Sequence, residues 1–231
     1  MNTAAAIVAH LRTLHNPRNV EGQRRFGIAT KAEQLGIAVP VLRDLARPHR
    51  RNHALALALW AHPIQEARVL ATLVADPQRL TRAQASAWVK DCDNWAATDA
   101  LAWLLDRTPF AESLALAWSV RRAEFVKRTG FAIMAGMAIH RKELPDENFL
   151  GFLPAIAREA TDERNFVKKA VNWALRQIGK RNPRLRRAAI AEAKRIARLD
   201  SPAARWIAAD ALRELGGEGE RGRSGRLRLA R

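Results

Sequence analysis

The chain breaks at Pro or Asp-Pro roughly every 15 to 25 residues, and the stretches between are rich in Ala and Leu at helical spacing. A strand-forming chain would alternate Val, Ile, Thr and Tyr with polar residues. Such alternation is scarce and Tyr is absent. The spacing predicts an all-α protein with helices over about 3–14, 20–34, 39–47, 51–61, 63–75, 77–90, 95–106, 110–119, 121–139, 146–159, 162–180, 183–198 and 201–214. Several starts are legible: Pro63 and Pro77 fall near first helical positions, Asp162 precedes a long amphipathic run, and Ser201-Pro202 reads as N-cap and N1.

Paired helices of this length without a strict repeat suit an irregular solenoid of the HEAT type, whose repeats run about 40 to 47 residues. The expected architecture is a right-handed superhelical solenoid of HEAT-like helical repeats with a concave basic face. A compact helical bundle shares the same periodicity and is the alternative. One such domain is expected over 1–215. Residues 216–231, made of Gly and charged residues that cannot build a core, read as a flexible basic tail.

Charge narrows the partner. Forty Lys and Arg against 23 Asp and Glu leave a net charge of +17, which favours a polyanion, nucleic acid before anionic membrane. An Arg-rich coding background would produce the same excess. A concave face lined with Lys and Arg would hold a duplex by its phosphates, giving affinity without sequence information. The single cysteine, Cys92, excludes an internal disulfide and a multi-Cys zinc site. No two histidines share an expected helix face, so neither a metal nor a cofactor is expected. The amino terminus lacks the apolar core of a signal peptide, and no run reaches the roughly 20 apolar residues of a membrane span. The expectation is a cytoplasmic monomer, nucleoid-associated when on DNA.

Three stretches carry candidate chemistry. Trp95 and Asp99 lie at i and i+4 of an expected helix, so they project together; a core Trp and an Asp favoured by the helix dipole would produce the same spacing. Further on, Val167, Val171, Ala174, Leu175 and Ile178 form an apolar stripe, while Lys169, Trp173, Arg176 and Lys180 form a second, basic one. Trp173 among cations suits stacking on nucleic acid; filling a gap between repeats is the alternative. Arg121 and Arg128 share a stripe that could cross a phosphate backbone, with Phe125, Ala132, Ile133 and Met137 read as buried. Trp60, Trp88, Trp103, Trp118 and Trp206 sit among Ala and Leu and read as packing.

Together these pieces resemble a known family. Asn94-Trp95-Ala96-Ala97-Thr98-Asp99, then Val126-Lys127-Arg128, then the run from Lys169 through Trp173 and Arg176 to Asn182, match in order the Trp-x-x-x-Asp, Arg and Lys-Ala-x-x-Trp-x-Leu-Arg segments of the DNA alkylation repair enzymes, the HEAT-like-repeat alkylpurine DNA glycosylases. Leu35-Gly36-Ile37 through Pro40 to Arg43 is similar to a Gly-Ile/Val-x-x-Pro-x-x-Arg segment near that family's start. The resemblance spans about 10–214. It implies hydrolysis of the N-glycosidic bond of cationic N3- and N7-alkylated purines (3-methyladenine and 7-methylguanine type) in duplex DNA, without base flipping. It also implies roles: Asp99 as catalytic carboxylate, Trp95 and Trp173 beside the lesion's deoxyribose, and Arg128 on the backbone, with Lys127, Lys169, Arg176 and Lys180 as further DNA-binding cations. The chain departs from the family at Ala96, where relatives often carry Asp; Asp93 or Asn94 would then cap the helix. Two other functions stay open: a non-catalytic HEAT-like protein binding branched or distorted DNA, against which Asp99 argues, and a solenoid binding an acidic protein.

Overall fold

The computed structural model describes residues 3–224, with side chains to residue 217. The helices are α1 (Ala4–Thr13), α2 (Pro17–Arg25), α3 (Val39–Ala46), α4 (His53–Trp60), α5 (Gln65–Val74), α6 (Arg82–Trp88), α7 (Trp95–Leu105), α8 (Ala111–Ser119), α9 (Glu124–His140), α10 (Asp146–Glu159), α11 (Asn165–Gly179), α12 (Pro183–Ile196) and α13 (Pro202–Ser224). Two single-turn 3₁₀ segments follow α3 and α6. Among the described residues the only strand-like pairing is an isolated parallel bridge between Glu33 and Ile64. The chain gathers into two compact units, Met1–Ala111 and Glu112–Arg231, where the sequence suggests one domain over 1–215. Helix α13 continues past Gly216, the expected start of the tail, to Ser224; the rest of that tail, 225–231, lies outside the described residues.

In the first unit, α5 is the hub. It packs on α4 on one side and between α3 and α7 on another. Fully buried Ala67 and Ala71 let α4 approach, and α4, reading HALALALW, is apolar almost all round because α1 covers it as well. In the second unit, α9, α11 and α13 form one row and α10 and α12 a second. Every residue of α9 from Lys127 to Ala138 is buried. Gly130 allows this: a Cβ there would lie 2.7 Å from the backbone N of Ser119 and 2.9 Å from the Ala115 carbonyl of α8.

Two expected helices change shape. The stretch 20–34 is helical only to Arg25, because Gly27 turns left-handed at φ +79° and the chain leaves as an extended strap. Along that strap the Thr30 hydroxyl and the Lys31 N–H donate to the Asp93 carboxylate, Glu33 bridges to Ile64, and the N–H groups of Leu35, Gly36 and Ile37 all donate to the buried Glu66 carboxylate. The expected 77–90 helix starts only at Arg82, where Thr81 and Gln84 make a reciprocal capping box. Pro77 instead sits in a turn closed by Asp76, whose carbonyl accepts from Leu80. By contrast, Ser201-Pro202 begins α13 as read, with Ser201 Oγ accepting from Ala204.

Gly36 sits at φ +72°, and a Cβ there would stand 2.5 Å from the Asn16 carbonyl and 2.9 Å from the Val20 N. Only glycine fits this turn. Gly36→Ala should destabilise the protein by ~1–3 kcal/mol in urea unfolding, whereas Gly22→Ala, in helix α2 with nothing within 4 Å of its Cβ, should stabilise it by ~0.5–1 kcal/mol.

Candidate functional site

In the first unit the Trp95/Asp99 pair occupies the first two turns of α7. Thr98, Leu101, Ala102, Leu104 and Leu105 bury the opposite face, so Trp95 and Asp99 stay half-buried on the side turned from the core. The helix start is set by Asn94 and not by Asp93. The Asn94 carboxamide oxygen accepts from the N–H groups of Ala96 and Ala97 at 3.1 and 3.0 Å, while its NH₂ donates to Gln65 Oε1 at 2.8 Å. Asp93 serves the strap instead. Just upstream, Asp91 accepts from Trp60 Nε1 at 2.8 Å and pairs with Arg68, behind a parallel Trp60–Trp88 stack at 4.2 Å. Burial pushes the Cys92 thiol up to about 12, so this neighbour of the pair is no thiolate nucleophile.

The Trp95 indole is not left to rotate. Its Nε1–H donates to the Phe26 carbonyl at 2.9 Å, tying α7 to the end of α2. That bond fixes the Phe26 backbone; the residue itself is 78% exposed. Sequence periodicity missed it because it places Phe26 inside a continuous helix; the signal available was Gly27.

In the second unit Trp173 is half-buried on α11, with exposed Lys169 one turn before it. Its helix is registered on α13 by Asn172, which donates to Asp210 at 2.6 Å. The basic stripe expected to extend beyond Trp173 is engaged within the protein. Arg176 pairs with Glu214 and lies 3.5 Å from Asp210, and Lys180 pairs with Glu214, all carboxylates of α13. Lys127 is similarly occupied: it is 9% exposed, with its ammonium between Glu159 and Asp162. The expected phosphate contacts of Lys127, Arg176 and Lys180 therefore compete with internal ion pairs, whose carboxylates come from elements distant in sequence. Arg128 is 5% exposed, its guanidinium donating to the Phe166 carbonyl at 2.7 Å at the start of α11. It is a positioned cation, whereas Arg121 is exposed. Phe125 is half-buried against Phe166, not enclosed. Of the tryptophans read as packing, Trp60, Trp88 and Trp118 are core; Trp103 and Trp206 reach the surface at 37% and 40% exposure, Trp206 beneath Lys168.

Among the described residues no cluster of three His, Cys, Asp or Glu could hold a metal ion, and no helix is long and apolar enough to cross a membrane. The family model for DNA alkylation repair enzyme matches residues 7–215. A solved structure, described as a new family of proteins related to the HEAT-like repeat DNA glycosylases with affinity for branched DNA structures, superposes with a TM-score of 0.75 at 17% identity, over 91% of this chain and 94% of that chain. The all-α fold is thus HEAT-like. No curated protein matches the sequence.

One prediction tests the supports within each unit. Asn94→Ala removes an N-cap and the bond to Gln65, and should cost ~1–2 kcal/mol in urea unfolding; Asn94→Asp, which keeps the accepting oxygen, should lose less. In the second unit burial raises the Asp162 carboxyl, but hydrogen bonds from Arg164 and Lys127 outweigh it and bring it down to about 2. Its folded value lies below the unfolded value of about 3.9. Its stabilisation is therefore complete above that value and fades as pH falls toward about 2. Asp162→Asn should lower stability at neutral pH and flatten its decline across that window, read by denaturant midpoints along a pH series.

Proposed function

Because this chain belongs to the DNA alkylation repair enzyme family, we propose that it is a monofunctional DNA glycosylase. It hydrolyses the N-glycosidic bond of cationic N3- and N7-alkylated purines in duplex DNA, acting as a monomer and leaving the base in the stack. The observation that carries this reading is a carboxylate, Asp99, one helical turn from an indole, Trp95, that is pinned by its own N–H to the Phe26 carbonyl.

The chemistry follows from the leaving group. An alkylated purine already carries positive charge, so the C1′–N bond breaks toward a neutral base and the cation shifts onto the sugar. A carboxylate facing that sugar stabilises the developing oxocarbenium and can accept a proton from the water that adds to C1′. The products are the free base and an abasic site. The Trp95 ring face adds cation–π attraction of about 1 kcal/mol. No metal or cofactor enters this scheme. In the second unit exposed Lys169 is the cation for a DNA backbone, while Arg128, 5% exposed, holds the start of the helix that carries Trp173.

A second reading, a non-catalytic binder of branched DNA, is favoured by the description of the solved structure that shares the fold. One assay separates them. Incubated with duplex containing N7-methylguanine, the protein should release free 7-methylguanine, and Asp99→Asn should slow release by a factor of at least ~10² while duplex affinity changes less than about threefold. No release by the wild type, or equal release by the variant, sinks the glycosylase reading.

A further inference from the structure

The first unit holds a groove of ≈ 610 Å³ that the proposed hydrolysis does not use and that the family pattern touches at Arg43. Its walls come from α3, α5 and α7 and from the turn between α3 and α4. The rim carries Arg43, Arg47, Arg50, Arg51 and Arg107, and no carboxylate lines it. All five arginines are exposed. Arg47 meets Asp44 at 3.3 Å and Arg107 meets Asp106 at 3.7 Å; Arg43, Arg50 and Arg51 make no ion pair among the described residues. The floor is apolar, with Leu73, Pro77 and Leu104, and one wall is the 37% exposed indole of Trp103.

We propose that this groove binds single-stranded nucleic acid, its arginines holding the backbone of a nucleotide or two and Trp103 stacking on a base. Three features select this ligand. First, guanidiniums are planar forks suited to phosphate, and five on one rim exceed what a single small anion needs. Second, the volume lies within the range of small-ligand sites, about 300–1,000 Å³, so a nucleotide enters whereas a duplex does not. Third, a duplex turns phosphates outward and hides its base faces, so it would use the rim but leave the floor and the indole bare. A single strand presents both charge and a ring face, the pairing that arginine-lined, aromatic-walled sites bind.

The backbone adds a separate observation. Arg51 has φ +62° and is the only non-glycine residue with positive φ among the described residues. An Arg in that conformation is strained, and held strain concentrates at ligand-binding positions. Here it turns the chain into α4, capped by Asn52, and sets Arg50 and Arg51 side by side on the rim. Trp103 lies one turn beyond Asp99 on α7, so the groove opens beside the proposed catalytic carboxylate. The proposal shares the nucleic-acid partner of the glycosylase reading but not its hydrolytic step. A strand leaving a damaged or branched duplex would have a place to go.

Fluorescence anisotropy of the full-length protein with a labelled single strand of about ten nucleotides, the matching duplex, and AMP and inorganic phosphate as competitors tests this. Arg43→Ala/Arg50→Ala should weaken single-strand binding at least tenfold and reduce the steepness of its log–log salt dependence by about 1.4. Trp103→Leu should weaken single-strand binding about fivefold or more and leave duplex affinity unchanged. Arg51→Gly, which relieves the strained φ, should bind the single strand less tightly while its thermal stability holds or rises, so that lost binding cannot be ascribed to unfolding. Equal losses for duplex and single strand would make the groove a duplex backbone contact and overturn the proposal. So would unchanged binding, or competition by AMP or phosphate as strong as by the oligonucleotide. Release of 7-methylguanine by these variants at the wild-type rate would leave the hydrolytic reading standing whichever way the groove is decided.

Discussion

Two adjacent side chains at the start of α5, Gln65 and Glu66, hold the first unit's candidate site together. Glu66 is buried, and a buried carboxylate is costly unless its oxygens are fully satisfied. Three consecutive N–H groups, those of Leu35, Gly36 and Ile37, satisfy it, and the left-handed turn at Gly36 brings the Ile37 N–H back onto the same oxygen as its own. The strap from 26 to 38 is thereby fastened to α5. Gln65, one residue earlier, takes the Asn94 amide and so fixes where α7 begins. The strap sets Phe26, Phe26 sets the Trp95 indole, and Asn94 sets the turn that carries Asp99. One helical turn thus positions both the wall and the charge.

The net charge of +17 is a poor guide to where an anion would sit. Much of the second unit's basic character is internal. Lys127 and Arg164 meet at Asp162, and Arg176 and Lys180 converge on Glu214. These pairs fasten α9 to the α10–α11 turn and α11 to α13, and the cations that make them have a competitor for any phosphate. The first unit's groove shows the opposite condition, with several arginines crowded on one rim and no carboxylate lining it. Like charges gathered on one rim repel one another, a cost that an anionic ligand would remove.

The helical architecture was legible because period and punctuation are local. The 3.6-residue spacing of α11 and the Ser201-Pro202 start of α13 depend only on neighbours in sequence, and both stand in the structure. What periodicity could not show was any partner distant in sequence. Residues 26–34 contain enough helix-compatible side chains to continue α2, yet their backbone is satisfied by Asp93 and by the Pro63–Gln65 segment. The same limit applies to the site. The shared face of Trp95 and Asp99 follows from spacing alone, but the bond that pins the indole comes from Phe26. Spacing puts Lys169, Trp173, Arg176 and Lys180 along one stripe of α11, but the carboxylates that neutralise Arg176 and Lys180, those of Asp210 and Glu214, lie 30 to 40 residues away.

Ala96, the departure from the family pattern, makes local sense in this setting. An Asp at that position would sit in the first turn, where a carboxylate can satisfy free N–H groups and meet the helix dipole. Asn94 already takes the N–H groups of Ala96 and Ala97, so the helix start needs no second acceptor. An Asp there would also stand at i, i+3 to Asp99, where like charges are neighbours and oppose each other. Asp93, the other nearby carboxylate, is engaged by Thr30 and Lys31. A neutral cap and an alanine therefore leave Asp99 without an acidic neighbour on its own stretch of helix. On the proposed reading, the developing sugar cation would then face Asp99 without a second α7 carboxylate to share it, and the choice of Ala96 concentrates the chemistry there.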